Sequence, residues 1–212
     1  GESTRPGHIQ ISDEEEICRV APVVACLKKE FDIPLSVDTY KSAVAEAAIQ
    51  AGCDLINDIW GLQYDEKMAG LIADAGVSCC LMHNREKIDY RDFLPDCMAD
   101  MRKIIETAKV AGIAEDKMIL DPGVGFGKTL EHNLMVMIHL NDFNQFGYPV
   151  LLGTSRKSMI GLTLDLPVDQ RVEGTITTSV WAVQAHYGFV RVHDVAANYR
   201  AVRMAEAIMN AQ

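Results

Sequence analysis

The segment Asp121-Pro-Gly-Val-Gly-Phe-Gly-Lys128 directly follows the apolar run Met118, Ile119, Leu120, and it holds the residues best suited to chemistry. Three glycines in five residues do little for a core, because glycine loses the most conformational entropy on folding. They mark a backbone that turns sharply or approaches something closely. Pro122 lacks an amide donor and ends the strand, leaving the Asp121 carboxylate at its tip beside a flexible loop and Lys128. A carboxylate at the C-terminal end of a parallel strand is where α/β barrels place chemistry. A strand-to-helix turn capped by Asp121 is the plainer alternative. The glycine spacing and the lack of a Gly-Lys-Ser/Thr ending do not fit a Walker phosphate loop.

Other strand-like runs also end in polar groups. Leu35-Ser36-Val37 ends at Asp38, Leu55-Ile56 at Asn57-Asp58, and Cys80-Leu81 at Met82-His83. Leu151-Leu152 leads to Gly153 and then Thr154-Ser155-Arg156-Lys157-Ser158, while Val190 leads to Arg191-Val192-His193-Asp194. Six such tips in succession would outline one mouth of a barrel. Asp38, Asn57 and Asp121 offer acceptors, which suit the adjacent N–H groups of a guanidine-like heterocycle edge. Lys157, Arg191, His193 and the hydroxyls of Ser155 and Ser158 offer what a phosphate needs. Arg191 and His193 share one side of an extended strand, though a surface ion pair and a satisfied histidine are equally compatible. Phe126 either stacks on a flat ring or closes its own loop.

Positioning these tips falls to an alternation of short β-rich runs and longer helical patterns. Strands are expected at 35–38, 54–57, 77–82, 118–121, 150–153 and 189–192, and helices near 40–51, 64–75, 96–111, 130–140, 170–187 and 195–210. A further helix begins at Ser12, whose spacing to Glu15 is that of a capping box, and Pro22 is expected to kink it. Such alternation means βαβ units and a parallel sheet, with no linker over residues 1–212. A closed barrel has eight strands, whereas an open doubly wound sheet accepts six.

Acidic and basic residues number 30 and 20, and the net charge of −10 disfavours nucleic acid or acidic membranes as partners. Cys18, Cys26, Cys53, Cys79, Cys80 and Cys97 form no C-x-x-C pair and read as free, mostly buried thiols of a reducing cytoplasm. The uncharged stretch 174–190 contains Thr175, Thr177, Thr178, Ser179 and Gln184, which fits a buried or interface helix better than a membrane span.

Taken together, GESTRPG at 1–7, SVDT at 36–39, IND at 56–58, DPGVGFGK at 121–128, GTSRKS at 153–158 and RVHDV at 191–195 resemble the dihydropteroate synthases, in the order that family has them. The resemblance covers the whole chain. It implies a (β/α)8 TIM barrel of the pterin-binding type, one domain over 1–212. It also implies the condensation of p-aminobenzoate with 6-hydroxymethyl-7,8-dihydropterin diphosphate in folate biosynthesis, with Mg²⁺, a place among the sulfonamide targets and a homodimer packed through late helices. By motif, Asp121 and Asn57 would bind the pterin edge, Lys157 its carbonyl side, and Asp38 the ring where positive charge develops. Thr4, Arg5, Arg191 and His193 would hold the diphosphate, Ser158 would lie near p-aminobenzoate, and Phe126, Gly153 and Val192 would line the substrate site.

The family pattern places two strands, a helix and a magnesium-binding asparagine before Gly1, so the chain reads as N-terminally truncated. Two alternatives follow: a pterin-binding fragment without activity, and a methyltetrahydrofolate–corrinoid methyltransferase, which would have no pyrophosphate to hold.

Overall fold

Parallel pairing between successive strands, each followed by a helix, dominates the computed structural model, which describes residues 1–3, 7 and 9–211. The elements are α1 (Asp13–Glu30), β1 (Ser36–Asp38), α2 (Ser42–Gln50), β2 (Leu55–Asp58), α3 (Met68–Ala75), β3 (Ser78–Met82), α4 (Phe93–Val110), β4 (Met118–Asp121), α5 (Leu130–Ile138), β5 (Leu151–Leu152), α6 (Ser158–Leu164), α7 (Val172–Gln184), β6 (Phe189–Val190) and α8 (Val195–Met209). Every expected strand is present, β5 and β6 being shorter than their apolar runs. Helix α6 is an addition. The alternation thus resolves as an α/β fold with parallel sheets. Two compact units divide the chain: Gly1–Asn84 with Ala99–Ile119, and Arg85–Met98 with Leu120–Gln212.

In the first unit, Ser36 pairs with Leu55 and Leu55 with Ser78, so Asp38, Asn57 and Cys80 stand abreast along β1, β2 and β3. Parallel strands covered on both faces should be apolar at consecutive positions. Cys79, Cys80, Leu81 and Met82 accordingly are all fully buried, although adjacent side chains of β3 point to opposite faces. Val44, Ala45 and Ala48 of α2 and Ile72 of α3 complete this core. Helix α1 starts as its sequence dictates: Ser12 Oγ accepts the Glu15 amide at 3.2 Å, and four acidic residues occupy the first turn. The helix continues through Pro22.

In the second unit, Leu151 and Leu152 pair with Phe189 and Val190, and a parallel bridge joins Leu120 to Val150. Asp121, Gly153 and Arg191 therefore end three neighbouring strands. Helix α7 buries Thr175, Thr178, Ser179 and Ala182 and leaves Trp181 exposed. The polar face of the uncharged stretch is thus used inside the chain: Thr178 shares a 2.7 Å hydrogen bond with Thr154, and Thr175 Oγ1 accepts the Arg156 amide at 3.2 Å. Among the described residues, no helix is long and apolar enough to cross a membrane.

Candidate active site

Asp121 of β4 is fully buried, and both of its oxygens are engaged. Oδ1 accepts the Gly123 amide at 2.8 Å, and Oδ2 accepts from Arg191 Nη2 at 3.1 Å. Asp121 thus caps its own turn, as the plainer sequence reading expects, and it also meets a cation at a neighbouring strand tip. The Arg191 side chain is 42% exposed, so the pair links a buried carboxylate to a guanidinium that solvent and ligand can reach.

Gly153, directly after β5, sits between them. A Cβ there would lie 2.9 Å from Arg191 Nη2, so only glycine lets the guanidinium cross the middle strand undisturbed. Past β5 the chain is held by side chains from distant segments. Ser155, buried, accepts the His193 backbone amide at 3.1 Å and shares a 2.8 Å bond with His193 Nδ1, which orients an exposed imidazole. Arg156 forms a bidentate pair with Asp194, at 3.1 and 2.7 Å, tying the SRK and RVHD motifs together. That guanidinium, by hydrogen bond and by charge, holds the Asp194 carboxyl below its usual range. Arg171 donates to the backbone carbonyls of Leu166, Arg156 and Lys157 and so props the loop from behind. Val192 is half-buried between Arg191 and His193.

The glycine loop after β4 is closed by its own lysine. Buried Lys128 donates to the carbonyls of Gly123 and Phe126, each at 3.0 Å. Gly127 adopts φ +55°, and a Cβ there would meet the Arg85 carbonyl oxygen at 2.6 Å, so glycine is required. Tyr90 donates to the Gly127 carbonyl at 2.9 Å, while Gly125 donates to Asn133 Oδ1 at 2.6 Å. Lys157 donates to the Val124 carbonyl and stands 4.6 Å from the centre of the Phe126 ring, so Phe126 presents its face to a cation. Ser158 is exposed at the start of α6, beside a cleft of about 480 Å³ lined also by Leu162, Asp165, Pro167 and Arg171.

The first unit carries the other acceptors. Exposed Asp38 and buried Asn57 are register partners, and Asn57 Nδ2 donates to Asp38 Oδ1. That contact fixes the Asn57 amide orientation, leaving its carbonyl oxygen as the acceptor end. The neighbouring Asp58 is turned inward. Its oxygens accept the Trp60 amide at 2.8 Å and the Leu62 amide at 2.7 Å, capping a turn in which Leu62 has φ +66°. Burial outweighs those two amides, and with Asp38 and Asp65 nearby the Asp58 carboxyl is pushed up to about 6. Thr4 and Arg5 lie outside the described residues.

Sequence reasoning offered the Ser155 hydroxyl to a phosphate, whereas in the structure it holds His193, and it passed over Lys128, Arg156, Arg171 and Asp194 as supporting groups. The opposite charges inside the two shared motifs, Arg156 and Asp194, were the available signal; nothing local marks Arg171.

Comparison with known proteins agrees with this architecture. A model of the family described as "Pterin binding enzyme" matches residues 1–193. The dihydropteroate synthase of Clostridium beijerinckii is 53% identical over 210 residues, which cover 99% of this chain and 78% of that protein. Among solved structures, the Clostridium difficile dihydropteroate synthase, crystallised in the presence of pteroic acid, superposes with TM-score 0.97 at 46% identity, covering 100% of this chain and 81% of that one. The Yersinia pestis enzyme in complex with a sulfonamide drug gives TM-score 0.94 at 42% identity, covering 100% and 79%. The chain belongs to the pterin-binding enzyme family.

Proposed function

We infer that this chain is a transferase that joins p-aminobenzoate to 6-hydroxymethyl-7,8-dihydropterin diphosphate, giving 7,8-dihydropteroate and pyrophosphate in folate biosynthesis. The observation that carries the reading is the buried Asp121 paired with half-exposed Arg191, on a chain 53% identical to a dihydropteroate synthase. Such a pair presents an acceptor for a nitrogen-rich heterocycle and a donor for an anion at adjacent strand tips.

Loss of pyrophosphate breaks the C–O bond and leaves a methylene cation conjugated to the pterin. The aryl amine then forms the C–N bond and releases its proton. Catalysis of this kind needs positioning and charge stabilisation more than a strong base. We assign the pterin to Asp38, Asn57, Asp121 and Lys157, with Phe126, Gly153 and Val192 lining it, and the diphosphate to Thr4, Arg5, Arg191 and His193. Asp38, Lys157, Arg191 and His193 act on the reacting centre. Ser158 is assigned to the neighbourhood of p-aminobenzoate and its sulfonamide mimics. Mg²⁺ is generally bound through one or two carboxylates plus substrate phosphates. No three His, Cys, Asp or Glu side chains converge among the described residues, so diphosphate oxygens and water would supply most of its ligands. The ion would neutralise charge on the leaving group.

In the finer picture, the six strands are strands three to eight of a (β/α)8 barrel forming one domain. The exposed apolar residues Trp181, Tyr199, Met204 and Ile208 of α7 and α8 support a homodimer through these helices, and free thiols suit the cytoplasm. Calorimetry with the pterin diphosphate tests the reading. Binding is expected, and Asp121→Asn should weaken it by about 1–3 kcal/mol, the range for a hydrogen bond to a charged group. Absence of binding, or equal affinity for the pterin without its diphosphate, would overturn it.

A further inference from the structure

One planar peptide unit joins the Val124 carbonyl to the Gly125 amide, and its two ends are held by different elements. The carbonyl accepts from the Lys157 ammonium, which also faces the Phe126 ring. The amide donates to Asn133 Oδ1 at 2.6 Å. A trans peptide points its C=O and N–H in opposite directions, so whatever fixes one end aims the other. Asn133 is 3% exposed and lies near the start of α5. Its Nδ2 donates to the Thr129 carbonyl at 2.7 Å, so both ends of the side-chain amide are engaged and its orientation is set. Thr129 is fixed in turn. Its hydroxyl accepts the His132 amide at 3.2 Å, and His132 Nδ1 accepts the Thr129 amide at 3.4 Å. The His132 ring lies flat on Phe93, with centroids 4.3 Å apart.

A peptide plane that precedes glycine turns over easily. Gly125 has φ +87°, and glycine takes φ of either sign about as readily. Rotating the Val124–Gly125 plane by about half a turn exchanges two β-turn types that differ in the sign of this φ, and it carries the carbonyl away from Lys157. Gly125 resists replacement by a stiffer residue: L side chains rarely adopt its φ, and a Cβ there would stand 3.1 Å from Lys157 Cδ. The lysine stem fills the space in which a side chain could have stiffened the turn, so the hold falls to Asn133. Arg171 pins the Lys157 backbone separately, donating to its carbonyl at 3.3 Å. The ammonium answers to the loop.

We propose that Asn133 positions Lys157 for the pterin, by holding the Val124–Gly125 peptide in the flip that aims its carbonyl at the ammonium. The proposal rests on the functional reading above, in which Lys157 is one of the groups that bind the pterin. Asn133 is a positioning residue: its side-chain bonds go to the loop and to Thr129, and it acts on Lys157 through one peptide unit. Without that hold the loop keeps its other ties, from Lys128 to Gly123 and Phe126 and from Tyr90 to Gly127. What is lost is the direction of one carbonyl, and with it the place of the ammonium.

Calorimetry of the full chain with 6-hydroxymethyl-7,8-dihydropterin diphosphate, paired with thermal melts, tests this. Two substitutions separate the two bonds of Asn133. Asn133→Ser keeps a donor for the Thr129 carbonyl four residues back and is too short to reach Gly125. Asn133→Asp keeps the acceptor for the Gly125 amide and loses the donor. Both should melt below the wild type. Asn133→Ser should bind the ligand about tenfold more weakly, the scale of one hydrogen bond to a charged group, whereas Asn133→Asp should recover affinity to within about threefold of wild type. In a Lys157→Met background, Asn133→Ser should cost less than about twofold further, because the two changes act on one contact. Affinity that merely follows melting temperature across the two variants, or an undiminished Asn133→Ser effect in the Lys157→Met background, would overturn the positioning role. Should Asn133→Ser fail to fold, Asn133→Ala in the same cycle decides. A wild-type chain that ignores the ligand would instead overturn the functional reading.

Discussion

Asp58 and Asp121 invite comparison: each is a buried aspartate at the tip of a parallel strand, and each accepts the amide two residues ahead. Their second oxygens part ways. That of Asp58 takes the Leu62 amide, four residues on in its own turn, while that of Asp121 takes the guanidinium of Arg191, seventy residues away and half-exposed. Asp58 spends its acceptors on backbone and stabilises a loop. Asp121 spends one on backbone and one on a side chain that a ligand can reach. Burial and strand position alone do not make a site; the identity of the second partner does.

The comparison is broken most forcefully at Asp58. Asp58→Ala should lower unfolding free energy by about 4 kcal/mol, since two buried amides are each left unsatisfied at about 1–3 kcal/mol. Urea denaturation measures it, and a loss below about 1 kcal/mol would mean that Asp58 does not hold its turn. The pH dependence comes next. The folded carboxyl sits near 6 against 3.8 for the ordinary group, so the folded state binds the extra proton. Its contribution is therefore present below about pH 4 and is lost as pH rises through 6. Relative to Asp58→Asn, the wild type should lose on the order of 2–3 kcal/mol across that window. A flat difference would mean the carboxyl titrates normally.

Gly127→Ala and Gly153→Ala sharpen the contrast between framework and site. At Gly127 the added methyl meets backbone in a left-handed turn, so stability should fall by about 1–3 kcal/mol. At Gly153 it meets only the mobile end of Arg191. Stability should change by less than about 1 kcal/mol, and pyrophosphate affinity should fall about tenfold as Arg191 leaves Asp121. Thermal melts and calorimetry on the same two proteins separate these outcomes.

Much of this was legible in the sequence, because the motifs sit at strand ends and strand ends are marked by where apolar runs stop. The strand-tip pattern expects Asp121 and Arg191 at one mouth, and the motifs give them separate roles, for the pterin and for the diphosphate. Their direct ion pair was not foreseen, because it depends on Gly153 clearing a path across β5. On sequence, Asp121 has a ligand role and Asp58 has none; the physical reason, a turn with Leu62 at positive φ whose amides Asp58 accepts, is visible only in the structure. Helix α6 escaped notice because seven residues give too little periodicity next to a polar motif. Arg171 was invisible as a support, since what it holds are backbone carbonyls that no local pattern records. The capping box at Thr129 was hidden because His132 fills the place where Glu or Gln is the usual sign.

The most direct test is a double-mutant cycle on pterin diphosphate affinity, using Asp121→Asn, Arg191→Ala and the pair of changes together. If Asp121 and Arg191 act as one unit on this ligand, the double variant should lose less than the sum of the single losses, with a coupling of about 1–2 kcal/mol. Strictly additive losses, or none from Asp121→Asn, would contradict the account.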